Sequence, residues 1–247
     1  MNEHFSVTRT SEGTTALFTI TRPERANALS HQVIDGLRTT VEYLPDGCDA
    51  LVIMGSPTVF SAGADLGCVR GKCHDSRPIQ PMLDELTAAI ETAPFPVVAL
   101  IEGPCVGAAV ELSLTCDARI GTADASFRIP ATEIGTVYRA GGVENLYRRL
   151  PFVALQSMLL LGSAVSAEKA QAWGLIDTVD GRKEALKTVD ALVDRIRPRP
   201  QVFAAQKASL GIAARVISLS DEAHRQITDI RNENSGRPAA HVEERIR

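Results

Sequence analysis

Two short stretches hold residue types that can stabilise a negatively charged oxygen and move a proton. The first is Phe60-Ser61-Ala62-Gly63-Ala64-Asp65-Leu66. It follows the strand-like run DALVIMGS, so it falls at a strand's C-terminal end, where α/β proteins place ligands. Its small residues let a ligand approach the backbone, and a free N–H there can donate to an oxygen. Close packing in a tight turn accounts for the same residues equally well. The second stretch is Gly103-Pro104-Cys105-Val106-Gly107-Ala108-Ala109-Val110-Glu111-Leu112, after the strand-like PVVALIEG. A helix starting near Gly107 or Ala108 leaves its first N–H groups without partners, at the positive end of the helix dipole. Glu111 stands three residues after Ala108 on the same face, and helical side chains lean toward the N-terminus. One segment can then supply both an oxyanion donor and a base. The competing reading is a solvated surface glutamate. Val110, Leu112 and Leu114 around it point instead to a buried helix, where an unpaired carboxylate is costly.

The elements that position these stretches read as follows. FSVTR and TTALFTITR are β-branched runs joined by a turn and read as two strands. Pro23 ends the second, and Ser30 can cap a helix over HQVIDGLRTTVEYL, whose apolar residues follow a helical period. DALVIMGS and PVVALIEG are short buried strands, with the helix PMLDELTAAIETAP between them. ARIGTADASFRIP reads as one or two short strands. From Gly141 the chain reads as almost wholly helical, and SGRPAAHVEERIR at the end is polar. Alternation followed by helices predicts an α/β domain with a helical tail. We place the core at residues 1–185 and the C-terminal helical region at 186–247, within one functional domain.

The 247 residues are 45% hydrophobic and 23% charged, which suits a globular chain able to bury a core without metal or disulfides. A net charge of −4 argues against general nucleic-acid binding. No apolar run is long enough to span a membrane. The N-terminus lacks the pattern of an export signal, so a cytoplasmic protein with all five cysteines reduced is expected. Cys68, Cys73 and His74 lie close in sequence, but no second Cys/His pair accompanies them. They read as an ordinary loop and not as a metal site.

The motifs together resemble the enoyl-CoA hydratase/isomerase, or crotonase, superfamily. The matching pieces are RPERANALS, VFSAGADL, PVVALIEGPCVGAAVEL, CDARI, ASFRIP, EIGTVYRAGG and GSAVSAEKAQAWGLID. The resemblance implies a spiral of ββα units with a C-terminal helical trimerisation region, and a homotrimer or a hexamer made of two trimers. It implies an acyl-CoA thioester substrate and no separate cofactor, since coenzyme A enters with the substrate. It places the oxyanion hole at the N–H groups of Ala64 and Ala108 and the catalytic carboxylate at Glu111. Arg25, Ala26 and Ala28 would follow the pantetheine and adenine, while Ala62, Asp65, Leu66, Gly107 and Pro130 border the substrate.

Two departures from the family pattern matter. Hydratases of the family use two glutamates, and the second follows the proline of Phe127-Arg128-Ile129-Pro130. Here that place is taken by Ala131. Glu133 is a candidate substitute if the segment is extended, since residues 131 and 133 would then share a face ~6.6 Å apart. An ion pair at the surface is its other reading. The second departure is Val137-Tyr138-Arg139, where many members carry Ile-Pro-Gly. The tyrosine position resembles that of methylmalonyl-CoA decarboxylases, and Tyr138 could bind a carboxylate or donate to an enolate. Arg139 could pair with a substrate carboxylate, or with Glu133 or Glu144. His74, Arg77 and the 67–80 segment are expected to shape the acyl pocket. Three readings compete: a hydratase or isomerase with one glutamate, a decarboxylase or C–C lyase, and a non-catalytic acyl-CoA binder.

Overall fold

The computed structural model describes residues 3–10, 13–215 and 220–234. Its main sheet has six strands. β1 (Phe5–Arg9) pairs antiparallel with β2 (Thr15–Ile20). β3 (Ala50–Met54), β4 (Val97–Ile101), β6 (Ala118–Gly121) and β9 (Thr178–Val179) then add in parallel, giving the order β1-β2-β3-β4-β6-β9. A second sheet of three short strands joins β5 (Pro104–Val106), β7 (Ser126–Arg128) and β8 (Val165–Ser166).

Every residue of β3 and β4 is buried, as parallel strands covered on both faces require. The alternation of β3 sorts its side chains. Leu51 and Ile53 enter the larger core with α1 (His31–Glu42) and α3 (Ile79–Thr92). Ala50, Val52 and Met54 meet Ala185, Val189 and Val193 of α8 (Arg182–Ile196) on the opposite face. Residue 185 lies inside α8, so the boundary read from sequence falls within one helix. Ser30 caps α1, its hydroxyl accepting from Val33 N–H at 3.4 Å.

The remaining helices are α2 (Leu66–Val69), α4 (Ala108–Thr115), α5 (Ala140–Arg149), α6 (Phe152–Leu159), α7 (Ala167–Ala172), α9 (Pro200–Arg215) and α10 (Asp221–Asn234). Among the described residues beyond Gly141, the regular elements are therefore helices apart from β8 and β9, two-residue strands too short to show a pattern in sequence. The polar end Ser235–Arg247 lies outside the described residues.

Candidate active site

The two small-residue stretches run side by side. Val106 N–H donates to Ser61 O at 2.9 Å, and Ser61 N–H donates to Pro104 O at 3.2 Å. Gly63 continues this contact at φ +83°, and a Cβ there would stand 2.4 Å from Val106 O and 2.9 Å from Ala108 N. Only glycine permits so close an approach in that conformation. On the other edge, Leu29 N–H donates to Gly63 O and Asp65 N–H donates to Leu29 O. These two bonds make an isolated parallel bridge between Leu29 and Ala64 that uses the groups on either side of Ala64 and leaves its own N–H out. Ala108 is the first residue of α4, and its N–H is one of the unpaired donors of a helix start. Among the described residues, neither N–H has an acceptor. Both alanines line one cavity of about 340 Å³, together with Glu111, Tyr138, Arg139 and Pro130.

Glu111 is 2% exposed. Its Oε1 accepts from Asn145 Nδ2 at 3.3 Å and from the Arg139 guanidinium, which also pairs with Asp84. Its Oε2 has no partner. Burial pushes the Glu111 carboxyl above the usual carboxylate range, and the Arg139 charge opposes that shift. The Tyr138 hydroxyl is buried without a hydrogen-bond partner. Burial, and then the neighbouring Glu111 charge, raise its pKa. Gly142 explains how ring and carboxylate come together: a Cβ there would meet Tyr138 Cε1 at 2.6 Å and Glu111 Oε2 at 3.0 Å.

This geometry accompanies a whole-chain match: residues 10–233 fit the family model described as enoyl-CoA hydratase/isomerase. The chain belongs to the enoyl-CoA hydratase/isomerase family. It is 33% identical over 160 residues to the "Probable enoyl-CoA hydratase echA6" of Mycobacterium bovis, and that match spans 64% of each chain. YngF of Bacillus subtilis is 26% identical over 232 residues, covering 90% of this chain and 89% of that one. Among solved structures, an enoyl-CoA hydratase from Mycobacterium avium subsp. paratuberculosis superimposes with a TM-score of 0.77. It is 27% identical and is matched over 95% of this chain and 91% of its own. A methylmalonyl-CoA decarboxylase complexed with 2S-carboxypropyl CoA reaches a TM-score of 0.84 at 21% identity, over 99% and 94% of the two chains, and shows the shared crotonase fold.

Several expected site residues stand elsewhere. Glu133 is turned out of the cavity. Residues 131–135 form a turn, not an extended strand, with Ile134 N–H bonded to Pro130 O and Thr136 N–H to Ala131 O. Its carboxylate pairs with Arg128 at 2.5 Å on the surface, while buried Ala131 lines the cavity. Asp65 does not line the cavity either. It caps α2 by accepting from Gly67 N–H at 2.9 Å and pairs with Arg22 at 3.2 Å. Arg25 and Ala26 lie exposed outside the cavity and Ala28 is buried. Ala26 O accepts from Ala62 N–H at 2.9 Å, which ties this segment to the rim. Leu66, Ala62 and Gly107 line the cavity. His74 is exposed, and Arg77 pairs with Asp35 and Asp75, so Val69, Arg70 and Ile79 shape the wall in their place.

Sequence reasoning passed over Asn145 and Asp84. Asn145 is a buried polar residue in an otherwise amphipathic helix, and that position was the signal to follow. It also overlooked Arg231 of α10, whose Nε donates to Val137 O at 3.3 Å and which reaches the cavity from the far end of the chain. The expectation of reduced cysteines is overturned for one pair: Cys68 and Cys73 are joined in a disulfide, leaving Cys48, Cys105 and Cys116 free. The metal-type cluster found among the described residues joins these two sulfurs to His31, not His74.

Proposed function

We infer that this chain is an acyl-CoA enzyme that stabilises a thioester enolate and moves a proton with one carboxylate. The observation that carries this reading is the meeting of two unpaired N–H groups, at Ala64 and Ala108, with Glu111 on one cavity. The thioester oxygen would accept from both N–H groups, each typically worth ~10²–10³ in rate. Glu111 would act as the base. Asn145 and Arg139 hold its Oε1, which leaves Oε2 as the oxygen free to take a proton. Arg139 favours the ionised form that burial opposes.

One base can carry a proton between two carbons, as a double-bond isomerase requires. Hydration asks for a second proton-transfer group. Ala131 occupies the place where the family's second glutamate stands, and Glu133 does not reach the cavity. The family's usual isomerase base sits at that same place, so Glu111 would have to serve for isomerisation too, and a specialised hydratase belongs to the same reading. Tyr138 favours a second reading: its unpartnered buried hydroxyl, beside Arg139, suits a substrate carboxylate and hence decarboxylation of a carboxyacyl-CoA. Coenzyme A would follow Arg25, Ala26 and Ala28 along the rim and bring no separate cofactor with it. The same reading carries a homotrimer or hexamer in the cytoplasm, with no nucleic-acid partner. No helix of the described residues is long and apolar enough to cross a membrane.

The test is a mass-spectrometric turnover screen of the protein and its Glu111→Gln variant against crotonyl-, 3-enoyl- and methylmalonyl-CoA, with ligand-induced melting shifts. Isomerisation gives a product of equal mass and new retention time, hydration gains one water, and decarboxylation loses carbon dioxide. Glu111→Gln is expected to abolish turnover and keep the melting shift. Unchanged turnover removes Glu111 from the mechanism, and melting shifts without any turnover mark a binding protein.

A further inference from the structure

One cluster of nucleophilic side chains is not used by this chemistry. Cys68 lies in α2, between Leu66 on one side and Val69 and Arg70 on the other, all three of which line the cavity. The disulfide ties it to Cys73, five residues on. The ends of this segment are fixed separately. At the start, Asp65 caps α2 and pairs with Arg22. At the end, the His31 ring bonds to Arg77 O at 2.7 Å, and the Arg77 guanidinium reaches Asp35 on α1. Between those anchors α2 is a single four-residue turn, too short to hold itself by its own hydrogen bonds. The Cys68–Cys73 bond is the covalent tie of that middle part.

The two cysteines differ in burial. Cys68 is 8% exposed and belongs to the core, whereas Cys73 is half-buried next to exposed Lys72 and His74. His31 is buried, with a ring nitrogen within 4.8 Å of both sulfurs. We propose that Cys68–Cys73 is a reversible thiol–disulfide site for low-molecular-weight thiols, which governs the order of the cavity wall carried by α2. A small thiolate attacks the Sγ of Cys73, the less buried of the two residues, and the Cys68–Cys73 bond breaks as a mixed disulfide forms. Cys68 Sγ leaves with the electron pair beside His31 and takes up a proton. A second thiol attacks the small-molecule sulfur of the mixed disulfide and frees Cys73. The sum is one protein disulfide reduced to two thiols and two small thiols oxidised to one disulfide, with the protons conserved. In the closed form Leu66, Val69 and Arg70 are held on the cavity. In the open form they lose that tether.

The experiment uses the full chain equilibrated with glutathione and glutathione disulfide in varied ratio. Thiols counted after denaturation should move between three (Cys48, Cys105 and Cys116) and the five cysteines of the sequence. Amide hydrogen exchange at residues 66–73 should quicken on opening, while exchange in β3 and β4 stays unchanged. Cys73→Ser should show the open pattern at every ratio, and Cys68→Ser should match it. The dissociation constant for butyryl-CoA should rise several-fold on opening, an effect that rests on the acyl-CoA reading of the cavity. The proposal is overturned by five thiols in glutathione disulfide alone. It is equally overturned by unchanged exchange at 66–73 on reduction, by equal butyryl-CoA affinity in both forms, or by a reduced protein that binds one zinc ion and resists closure. If butyryl-CoA binds neither form, the acyl-CoA reading fails, and thiol count and exchange still decide the site.

Discussion

Glu111 stands between opposing influences, and the residues around it set when it can work. Desolvation raises its pKa, while the Arg139 charge and the Asn145 amide lower it. Asp84, on the far side of Arg139, raises it again through its own charge. A base must be ionised to accept a proton, so turnover should fall as pH drops through the Glu111 pKa. The acid limb of kcat/KM is therefore expected above the ~4.3 of an ordinary glutamate. Arg139→Gln removes the opposing charge, so the limb should move to higher pH, with a lower rate at neutrality. A pH–rate profile of both proteins checks this, and an unshifted limb would separate Arg139 from Glu111. Tyr138 gives a second reading at the same scale. Tyr138→Phe removes a buried hydroxyl that has no partner in the free protein, so stability should change by less than ~1 kcal/mol or improve. A large loss of turnover with unchanged melting would then assign the hydroxyl to the substrate. The types and spacing of Ala64, Ala108 and Glu111 were legible in the chain. Asn145 and Asp84 were not, because their meaning comes from helices α3 and α5 brought onto α4 by the fold.

Elements fix these residues through backbone contacts more than through side chains. The pairing of Ser61 with Pro104 and Val106 sets two loops at one separation, and Gly63 lets that separation be small. Gly63→Ala combines a left-handed φ with a Cβ 2.4 Å from Val106 O. The strain should cost about 1–3 kcal/mol of stability. If the two N–H groups move apart, kcat should fall by ~10²-fold or more even in the folded fraction. Thermal melting and active-site titration separate the two effects. Asp65→Ala tests α2 in the same way. It removes a helix cap, typically ~1 kcal/mol, and leaves buried Arg22 without that carboxylate. Strands β3 and β4 could be read from sequence because a run of five buried residues has a clear composition. β6 and β7 were legible as the short strands of ARIGTADASFRIP, whereas β5, β8 and β9 were not, because two or three residues carry no period. Of the two readings of Glu133, the structure shows the surface ion pair with Arg128, because two backbone hydrogen bonds close a turn where only an extended segment would have aligned it with Ala131.

At the scale of the whole molecule, the cavity depends on helices that fold back from the end of the chain. α10 packs on α5 and brings Arg231 to the cavity, with His224 pairing to Glu144 at 3.0 Å. α9 precedes it and is fastened to the core through Lys207. The Lys207 ammonium reaches Asp117 at 2.7 Å and Phe95 O at 3.4 Å, and Asp117 also accepts from Val97 N–H at the start of β4. Burial raises the Asp117 pKa, and Lys207 is the main influence lowering it. Lys207→Ala leaves a partly buried carboxylate short of its cation. The cost should fall between the ~1 kcal/mol of an exposed pair and the ~3 kcal/mol at which buried pairs begin. That loss is local to the seam between α9 and the sheet, so the core of β3 and β4 should keep its hydrogen-exchange protection while α9 and α10 lose theirs. Cavity function should then fall through displacement of Arg231, with Glu111, Ala64 and Ala108 left in place. Lys207→Arg, which retains the charge, should recover most of it. Hydrogen exchange resolved by helix, measured beside acyl-CoA affinity, tests whether the C-terminal helices are a working wall of the site: loss of protection in α9 and α10 with unchanged affinity would make them a support for the sheet alone.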